Sequence, residues 1–400
     1  MNVTLGANVF DTLHNQNNVI FLQSKSSQGF TDVVNNVLND NNFQIAINLV
    51  KTVNDNTTLR TKHLNADFSQ AFKDAVVNNP KPVVLSRGIH SNLLTWEGLG
   101  RDIVKDGRDT WLIEMYGGPT TDEGCGSTCK NYTFSDLKLY YWPALVAGIE
   151  KYTNQSKIDY VGFSLGCTTA LESLAQYNNG ATNIGHYFNQ QTGQFELTNL
   201  AANSVDHFIA IACPGNFSKL SMITQTLYDG YPTVKLFMPE HTKLFHVKAG
   251  MLFYAYRNMP LPLQLQLVDY MAVVLLIPLG GERLSRNIYD EFISWINNQT
   301  YPEIGKNVYL NRSSFIRGEF GSTGTDGIVA SNDMKEICTN INSTNKIYGK
   351  FAGKVHFGPF GLGIADARSV KDLINKLLRE EQITGGESGF EFISNQPNCN

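Results

Sequence analysis

Hydrophobic and polar positions alternate along the chain in blocks that predict strands and helices in turn. The apolar run Pro82–Ser86 is typical of a buried strand, and it leads through a turn into a helix-period pattern over residues 93–103 that ends at Gly107. The same alternation predicts further strands at 111–116, 157–162, 207–213, 307–311 and 354–356, and further helices at 134–152, from 165, and at 367–381. Strands that alternate with helices indicate an α/β fold, in which helices flank a mainly parallel central sheet.

The alternation does not extend over the whole chain, and its gaps suggest a domain organisation. Residues 1–80 are rich in Asn and carry only short apolar runs, so we expect edge strands and helices there and assign them no chemistry. Residues 214–304 are rich in Leu and aromatic side chains, and we interpret them as a helical insertion. We therefore expect the core fold in two parts, 81–213 and 305–400, with the insertion between them as a cap or lid.

Composition excludes several classes of protein. Apolar residues make up 42% and charged residues 17% of the 400 residues, which suits a chain with a sizeable core. The net charge of −4 argues against nucleic acid as a partner, because nucleic-acid binders usually carry a basic surface. No apolar run reaches the roughly 18 residues that a membrane-spanning helix needs. We expect a globular protein without a transmembrane segment.

A nucleophilic serine is the strongest candidate for chemistry. Gly162–Gly166 reads Gly-Phe-Ser-Leu-Gly; a predicted strand leads into it and a predicted helix leaves it. In such a turn the serine backbone is strained, so flanking glycines avoid clashes with the neighbouring strand and helix. The free N–H groups at the helix start favour developing negative charge. We therefore interpret Ser164 as the nucleophile.

A serine hydroxyl needs a base near neutral pH, and the base needs an acid to orient it. In this architecture the acid and then the histidine follow the serine along the chain. That order selects His356, which follows the last predicted strand, from the eight histidines. Asp326, in a Gly-rich loop, is our candidate for the acid that accepts the Nδ1–H of His356, and Asp333 and Glu319 are alternatives.

Two backbone N–H groups are expected to stabilise the negative oxygen that forms when the serine attacks. One belongs to Leu165, directly after the nucleophile, and the other to Ile89, in the loop after the early strand. The neighbouring His90 is a candidate substrate-binding residue, and a loop-packing role fits its position equally well.

Four of the six cysteines allow a specific expectation. Cys338 and Cys399 flank the last segment, where a disulfide would tie down the C-terminal tail. Cys167 and Cys213 lie in apolar contexts, and we interpret them as free buried thiols.

The remaining signals concern the cellular compartment. No signal peptide is visible in this sequence, and we therefore expect either an intracellular protein or a mature form that carries an added Met1. Cys125 and Cys129 lie in a Gly-rich loop that suits a short disulfide, and without two further ligands nearby they are weak evidence for a zinc site. Asn-x-Ser/Thr sequons occur at Asn2, Asn56, Asn131, Asn154, Asn216, Asn298, Asn311 and Asn342. Together these features favour a secreted or extracytoplasmic protein with disulfides and glycans.

These segments together resemble the α/β-hydrolase superfamily, and within it the lipases and esterases, most nearly class 2 lipases. The residues that carry the resemblance are Pro82–Ile89, Gly162–Gly166, Thr325–Val329 and Val355–Gly358. Two positions depart from the family pattern. Arg87 stands where such lipases commonly have His, and Phe163 stands where they commonly have His or Tyr. Both positions shape the pocket, so we treat Phe163 as a candidate substrate-binding residue.

The resemblance covers about residues 80–215 and 305–400. It implies an α/β-hydrolase fold, hydrolysis of carboxylic esters by Ser164, Asp326 and His356, and no cofactor or metal. The apolar insertion would either cover an acyl-binding pocket and allow contact with a lipid surface, or only pack its hydrophobic side chains on the core. We expect a small-molecule or lipid ester as substrate. Acyl transfer, thioester or amide hydrolysis by the same residues, and a non-catalytic binding protein are the alternatives.

Overall fold

The computed structural model of the chain describes residues 43–51, 58–66, 81–89, 91, 93–114, 132–153, 155–178, 186–189, 194–197, 204–215, 222–242, 244–258, 284–300, 302–319, 326–356, 364–365, 367–384, 386, 389–394 and 399. The predictions for His90, Cys125 and Cys129 lie outside the described residues. So do the sequons at Asn2, Asn56, Asn131, Asn154 and Asn216.

The described strands and helices follow one another in nearly the predicted order. The strands are β1 Phe43–Lys51, β2 Thr58–Ala66, β3 Val83–Ser86, β4 Thr110–Glu114, β5 Ile158–Phe163, β6 His186–Asn189, β7 Gln194–Leu197, β8 Val205–Ile211, β9 His241–Thr242, β10 Leu284–Ser285, β11 Tyr309–Glu319, β12 Asn342–Ala352 and β13 Phe390–Ser394. The helices are α1 Glu97–Lys105, α2 (Phe134–Asp136, a π-helical turn Leu137–Tyr141, then Trp142–Thr153), α3 Leu165–Asn178, α4 Met222–Asp229, α5 Tyr231–Lys235, α6 Leu244–Arg257, α7 Arg286–Asn298, α8 Ser331–Asn340 and α9 Arg368–Leu378.

Nine of the described strands form one sheet in the order β1-β2-β4-β3-β5-β8-β11-β12-β13. Every pairing from β4 to β12 in that order is parallel. Strands β1, β2 and β13 add antiparallel pairings at the two edges. This mainly parallel sheet with flanking helices is the α/β-hydrolase fold that the sequence predicts. It brings the carboxyl ends of β3, β5, β11 and β12 to one edge.

Hydrophobic cores lie on both faces of the sheet because successive strand residues point to opposite sides. Val83 and Leu85 of β3 belong to the core that α1 and α9 cover, whereas Val84 belongs to the core that α2, α3 and α8 cover. Burial on both faces explains why the central strands read as continuous apolar runs in the sequence.

The last parallel strand differs from its prediction. The expected strand at 354–356 is wrong, because the strand is β12 and it ends at Ala352. Its sequence contains two Asn and two Lys, and buried and exposed positions alternate only irregularly along it. His356 therefore follows the strand in a short loop, four residues beyond its end.

Two disulfides join the described cysteines. Cys338 pairs with Cys399 across a Cα–Cα distance of 6.0 Å, which confirms the expected tie to the C-terminal tail. Cys167 pairs with Cys213 across 5.5 Å, so the interpretation of these two as free thiols is wrong. Their apolar surroundings suit a buried thiol and a buried disulfide equally, and only the fold brings the two close enough to bond.

The described residues of the predicted insertion are largely helical. They form α4, α5, α6 and α7, and the short strands β9 and β10 pair with each other between these helices. None of the helices that the structure describes is long and apolar enough to cross a membrane.

Candidate active site

Ser164 lies in a sharp turn between the end of β5 and the start of α3. Its φ of +52° is in the left-handed region, which is uncommon for a residue other than glycine. The Ser164 N–H donates to the Ile211 carbonyl of the adjacent strand at 2.9 Å, and the Ser164 carbonyl accepts the Cys167 N–H at 2.9 Å. Backbone bonds on both sides therefore hold the strained serine in place.

The glycines on either side of Ser164 are needed because there is no room for a side chain. A Cβ on Gly162 would lie 2.7 Å from the Cα of Cys167. A Cβ on Gly166 would collide with the Arg87 carbonyl oxygen and lie 2.5 Å from the Ser86 hydroxyl oxygen. The first turn of α3 is thus packed tightly against the end of β3, as the sequence motif predicts.

The structure brings the three residues selected from the sequence together. His356 Nε2 lies 2.8 Å from Ser164 Oγ, and His356 Nδ1 lies 2.8 Å from Asp326 Oδ2. Because the carboxylate can only accept at this contact, Nδ1 carries the hydrogen and Nε2 is left to accept from the serine hydroxyl. Ser164, Asp326 and His356 are all buried, at 3%, 2% and 2% exposure.

Backbone hydrogen bonds fix the orientation of the Asp326 carboxylate. Its Oδ1 accepts the N–H groups of Ile328 at 3.0 Å and Val329 at 2.7 Å, which leaves Oδ2 for the imidazole. The Asp326 carbonyl also accepts the His356 backbone N–H at 2.9 Å. The acid loop and the histidine loop are therefore held together by two bonds, one between backbones and one between side chains.

The alternative acids have other partners. Glu319 forms ion pairs with Arg317 at 3.0 Å and Lys350 at 3.2 Å. Asp333 lies in the first turn of α8, where burial raises the pKa of its carboxyl to about 7, although a hydrogen bond from the Gly215 N–H lowers it. The acid that touches the imidazole is thus Asp326.

The residues expected to supply the oxyanion donors lie beside Ser164. A Cβ on Gly88 would be 2.9 Å from Ser164 Cβ, so the Gly88–Ile89 segment passes directly against Ser164. The Ser91 hydroxyl donates to the Gly88 carbonyl at 2.9 Å and shapes this turn. Leu165 is the first residue of α3, and N–H groups of a first helical turn have no partner within the helix.

Phe163 has a different environment from the one expected. Its side chain is 1% exposed and lies in the core, where it contacts the Trp96 ring edge to face at 6.2 Å. The same ring lies 5.0 Å from the His356 imidazole. The structure therefore gives Phe163 a supporting position behind the imidazole, and its contact with a substrate stays a prediction. No sequence pattern indicates which apolar side chain packs against His356.

Charged residues gather at the opposite, amino edge of the sheet. Asp206 contacts Lys81 at 2.6 Å and Arg312 at 3.2 Å, and Asp159 contacts Arg108 at 2.6 Å. These side chains lie at or near the amino ends of parallel strands, away from the Ser164 edge. They form a structural ion-pair network.

His207 is buried within that amino-edge network, where its Nε2 lies 3.0 Å from the Ser314 hydroxyl. Burial is the main reason that its pKa falls to about 4. It lies away from the Ser164 edge and does not belong to the candidate site.

No metal centre is evident in the part of the chain that the structure describes. None of the described His, Cys, Asp and Glu side chains cluster in groups of three or more that could hold an ion.

The chain matches no protein-family model and no curated protein sequence. Among solved structures, it is similar to a putative lipase from Acinetobacter baumannii AYE, with 13% identity, a TM-score of 0.41, and coverage of 89% of this chain and 98% of the lipase. A carboxylesterase from Nitrososphaera gargenis has 14% identity and a TM-score of 0.42, covering 83% of this chain and 97% of its own.

A putative hydrolase from Agrobacterium vitis S4 has 11% identity and a TM-score of 0.44, with coverage of 84% of this chain and 98% of the hydrolase. The fold assignment itself follows from the strand order and the parallel pairings of this chain.

Proposed function

We propose that this protein is a serine hydrolase that cleaves carboxylic esters through an acyl-enzyme on Ser164. The observation that carries the proposal is the hydrogen-bonded series from Ser164 Oγ through both nitrogens of His356 to Asp326, with 2.8 Å at each contact. A serine hydroxyl is a weak nucleophile alone, and a neutral imidazole with its far nitrogen tied to a carboxylate is the arrangement that activates it.

The first half-reaction acylates the serine. Ser164 Oγ attacks the ester carbonyl carbon while the hydroxyl proton moves to His356 Nε2. The N–H groups of Leu165 and Ile89 stabilise the resulting oxyanion, and Asp326 stabilises the imidazolium. The imidazolium then gives its proton to the alkoxy oxygen as the carbon–oxygen bond breaks, so the alcohol leaves neutral.

The second half-reaction releases the acid. His356 Nε2 takes a proton from water as the water oxygen attacks the acyl carbon. The same two N–H groups donate to the oxyanion of the second tetrahedral intermediate. When it collapses, the proton returns to Ser164 Oγ, and the carboxylic acid departs with the water oxygen.

An active-site-directed probe tests this proposal. A fluorophosphonate should label the protein covalently, and Ser164→Ala should abolish labelling. Ser173→Ala is the matched control, because Ser173 lies on the same helix and its buried hydroxyl has no hydrogen-bond partner among the described residues. Absence of labelling in the wild type would contradict the proposal and favour a non-catalytic binding protein.

The proposed substrates are lipid esters, and exposed apolar side chains on the insertion support this. Leu236, Phe237 and Phe253 are 83%, 37% and 42% exposed, and the two phenyl rings lie 5.2 Å apart. Leu236 and Phe237 directly follow α5, and Phe253 lies on α6. We infer that these helices belong to a cap over the acyl pocket and that this patch contacts a lipid surface.

Activity on soluble and emulsified esters tests the lipid part of the proposal. A series of p-nitrophenyl esters should show turnover extending to long acyl chains. A double variant that carries Leu236→Ser and Phe253→Ser should lower the ratio of activity on emulsified esters to activity on soluble esters. Tyr309→Ser, which removes a side chain 53% exposed at the start of β11, should leave that ratio unchanged. Activity confined to short chains would contradict the lipid preference and leave the esterase proposal intact.

We also propose a secreted or extracytoplasmic location. Two disulfides join described cysteines, and disulfides persist mainly in oxidising compartments. The sequons fit the same location.

A further inference from the structure

The Cys167–Cys213 disulfide lies next to the candidate nucleophile. Cys167 is three residues after Ser164, in the first turn of α3, and Cys213 is two residues after the end of β8. Both cysteines are completely buried. The bond thus connects the helix that leaves the nucleophile to the strand that pairs with β5.

The disulfide closes a small ring around the nucleophile backbone. At one end of this ring the Ser164 N–H donates to the Ile211 carbonyl at 2.9 Å, and at the other end the disulfide joins Cys167 to Cys213. Between them, Ser164 and Ala212 have φ values of +52° and +45°. Left-handed backbone at residues other than glycine is unfavourable and persists only where the surroundings hold it.

The Cys213 side of the ring is itself anchored to the rest of the fold. The Ala212 N–H donates to the Ile316 carbonyl at 2.8 Å, and the Cys213 N–H lies 3.0 Å from the Met334 sulfur. The Thr168 hydroxyl donates to the Pro214 carbonyl at 2.7 Å, parallel to the disulfide. A bond to Cys213 therefore ties α3 to a fixed part of the sheet.

We propose that the Cys167–Cys213 disulfide is a positioning element for catalysis, which holds the first turn of α3 so that Ser164 Oγ stays aligned with His356 and with the Leu165 N–H. This inference rests on the proposed hydrolase function. The disulfide takes no part in bond making or breaking. The disulfide raises the fraction of molecules in which Ser164 Oγ is aligned with His356. A displacement of a reacting group by about 1 Å can lower turnover by about 100-fold.

The competing explanation is that the disulfide only stabilises the fold, and the second disulfide offers a matched control. Cys338 and Cys399 are separated by 61 positions in the sequence, and Cys167 and Cys213 by 46, so the two bonds constrain the unfolded chain to a similar degree. The Cys338–Cys399 bond ties α8 to the C-terminal tail and does not flank Ser164.

The experiment compares two double variants. In the first, Cys167 and Cys213 are both replaced by Ala, and in the second, Cys338 and Cys399 are both replaced by Ala. Both double variants should lower Tm by comparable amounts. At a temperature well below both transitions, the Cys167/Cys213 variant should lose about 10- to 100-fold in kcat and in fluorophosphonate labelling rate, with KM nearly unchanged. The Cys338/Cys399 variant should keep its kcat. Equal kcat in the two double variants would overturn the positioning role.

A second pair of variants keeps the inference testable if the Cys167/Cys213 variant does not fold. Thr168→Val leaves the disulfide in place and removes the hydroxyl that donates to the Pro214 carbonyl and lies 3.6 Å from Cys213 Sγ. It should lower kcat by about 2- to 10-fold with KM unchanged. Thr169→Val is its control, because that buried hydroxyl has no hydrogen-bond partner among the described residues. An unchanged kcat in Thr168→Val would count against the inference. A wild type that resists labelling would instead refute the proposed function itself.

Discussion

The ring of Phe163 lies 5.0 Å from the imidazole of His356, with the two planes 31° apart. Phe163 directly precedes Ser164, so the residue at the end of β5 supports the proposed base, and the next residue is the proposed nucleophile. Phe163→Leu keeps an apolar side chain but removes the flat ring against which the imidazole rests. We expect kcat to fall on the order of 10-fold, because the base then samples other orientations.

Phe351→Leu provides the comparison for this prediction. Phe351 is buried in the same core, and its ring contacts Phe390 at 5.4 Å. Each substitution should reduce the free energy of unfolding by about 1 kcal/mol. Only Phe163→Leu should lower kcat, and steady-state kinetics on a soluble ester at one temperature measure the difference. Equal kcat in both variants would assign Phe163 to core packing alone.

Asp326→Asn should nearly abolish turnover while leaving the fold intact. The amide oxygen can still accept from Ile328 and Val329, but the amide nitrogen now faces His356 Nδ1 and favours the wrong tautomer. We expect kcat to fall by about 10⁴-fold. Glu319→Gln, which alters an ion pair on β11, should keep its activity. If Asp326→Asn retained wild-type turnover, another group would have to orient the base.

The parts of the site that follow from local sequence could be predicted, and the parts that depend on distant contacts could not. A strand, a glycine-flanked serine and a helix are consecutive in the chain, so the turn at Ser164 is visible in the sequence. Once that turn is recognised, chain order selects His356 and leaves Asp326, Asp333 and Glu319 as candidate acids. The contact between Asp326 and the imidazole comes from the fold. The partner of Cys167 is 46 residues away, and only the fold shows that the two lie close together.

Strand β12 shows the same limit in the fold. Lys346, on that strand, is 8% exposed, and its ammonium group donates to the Cys338 carbonyl at 2.7 Å. A lysine that follows the polar residues Asn342–Asn345 predicts exposure, because lysine is rarely buried without a partner. The carbonyl that permits its burial belongs to α8, and no local pattern reveals it.

Gly166→Ala should disturb the site through the backbone. The added Cβ would collide with the Arg87 carbonyl, next to the Gly88–Ile89 segment that is expected to donate to the oxyanion. We expect kcat to fall by about 100-fold, which is the usual effect of losing one such donor. Gly98→Ala is the control, because its Cβ would meet only the end of the Lys371 side chain at 3.6 Å. That variant should keep its activity and gain up to about 1 kcal/mol in stability.

His207 should make the protein less stable in mild acid. Burial lowers the pKa of His207 from 6.5 to about 4, so the unfolded chain takes up a proton below pH 6.5 that the folded chain resists until about pH 4. This residue's contribution to the free energy of unfolding is complete above pH 6.5. It is lost as the pH falls toward 4, by at most about 3 kcal/mol.

Urea unfolding of His207→Gln at several pH values measures this contribution. Between pH 7 and 8 the difference from wild type should be constant, because His207 is neutral in both states there. Between pH 6.5 and 4 the wild type should lose stability faster than the variant. Parallel curves over that range would show that His207 does not titrate as its burial implies.

Asn298 should carry a glycan when the protein is produced through a glycosylating secretory pathway, and Asn311 should not. Asn298 is exposed at the end of α7, and Gln299 leaves the helix there with a φ of +53°. Asn311 lies within β11, and its side-chain nitrogen donates to Asp206 at 3.1 Å. A glycan on that nitrogen would disturb a carboxylate that also binds Lys81 and Arg312.

Electrophoresis of two variants tests this difference. Asn298→Gln should increase electrophoretic mobility, and glycosidase treatment should remove the difference from wild type. Asn311→Gln should leave the mobility unchanged and reduce Tm. A mobility shift in Asn311→Gln would show that the strand tolerates a glycan at this position.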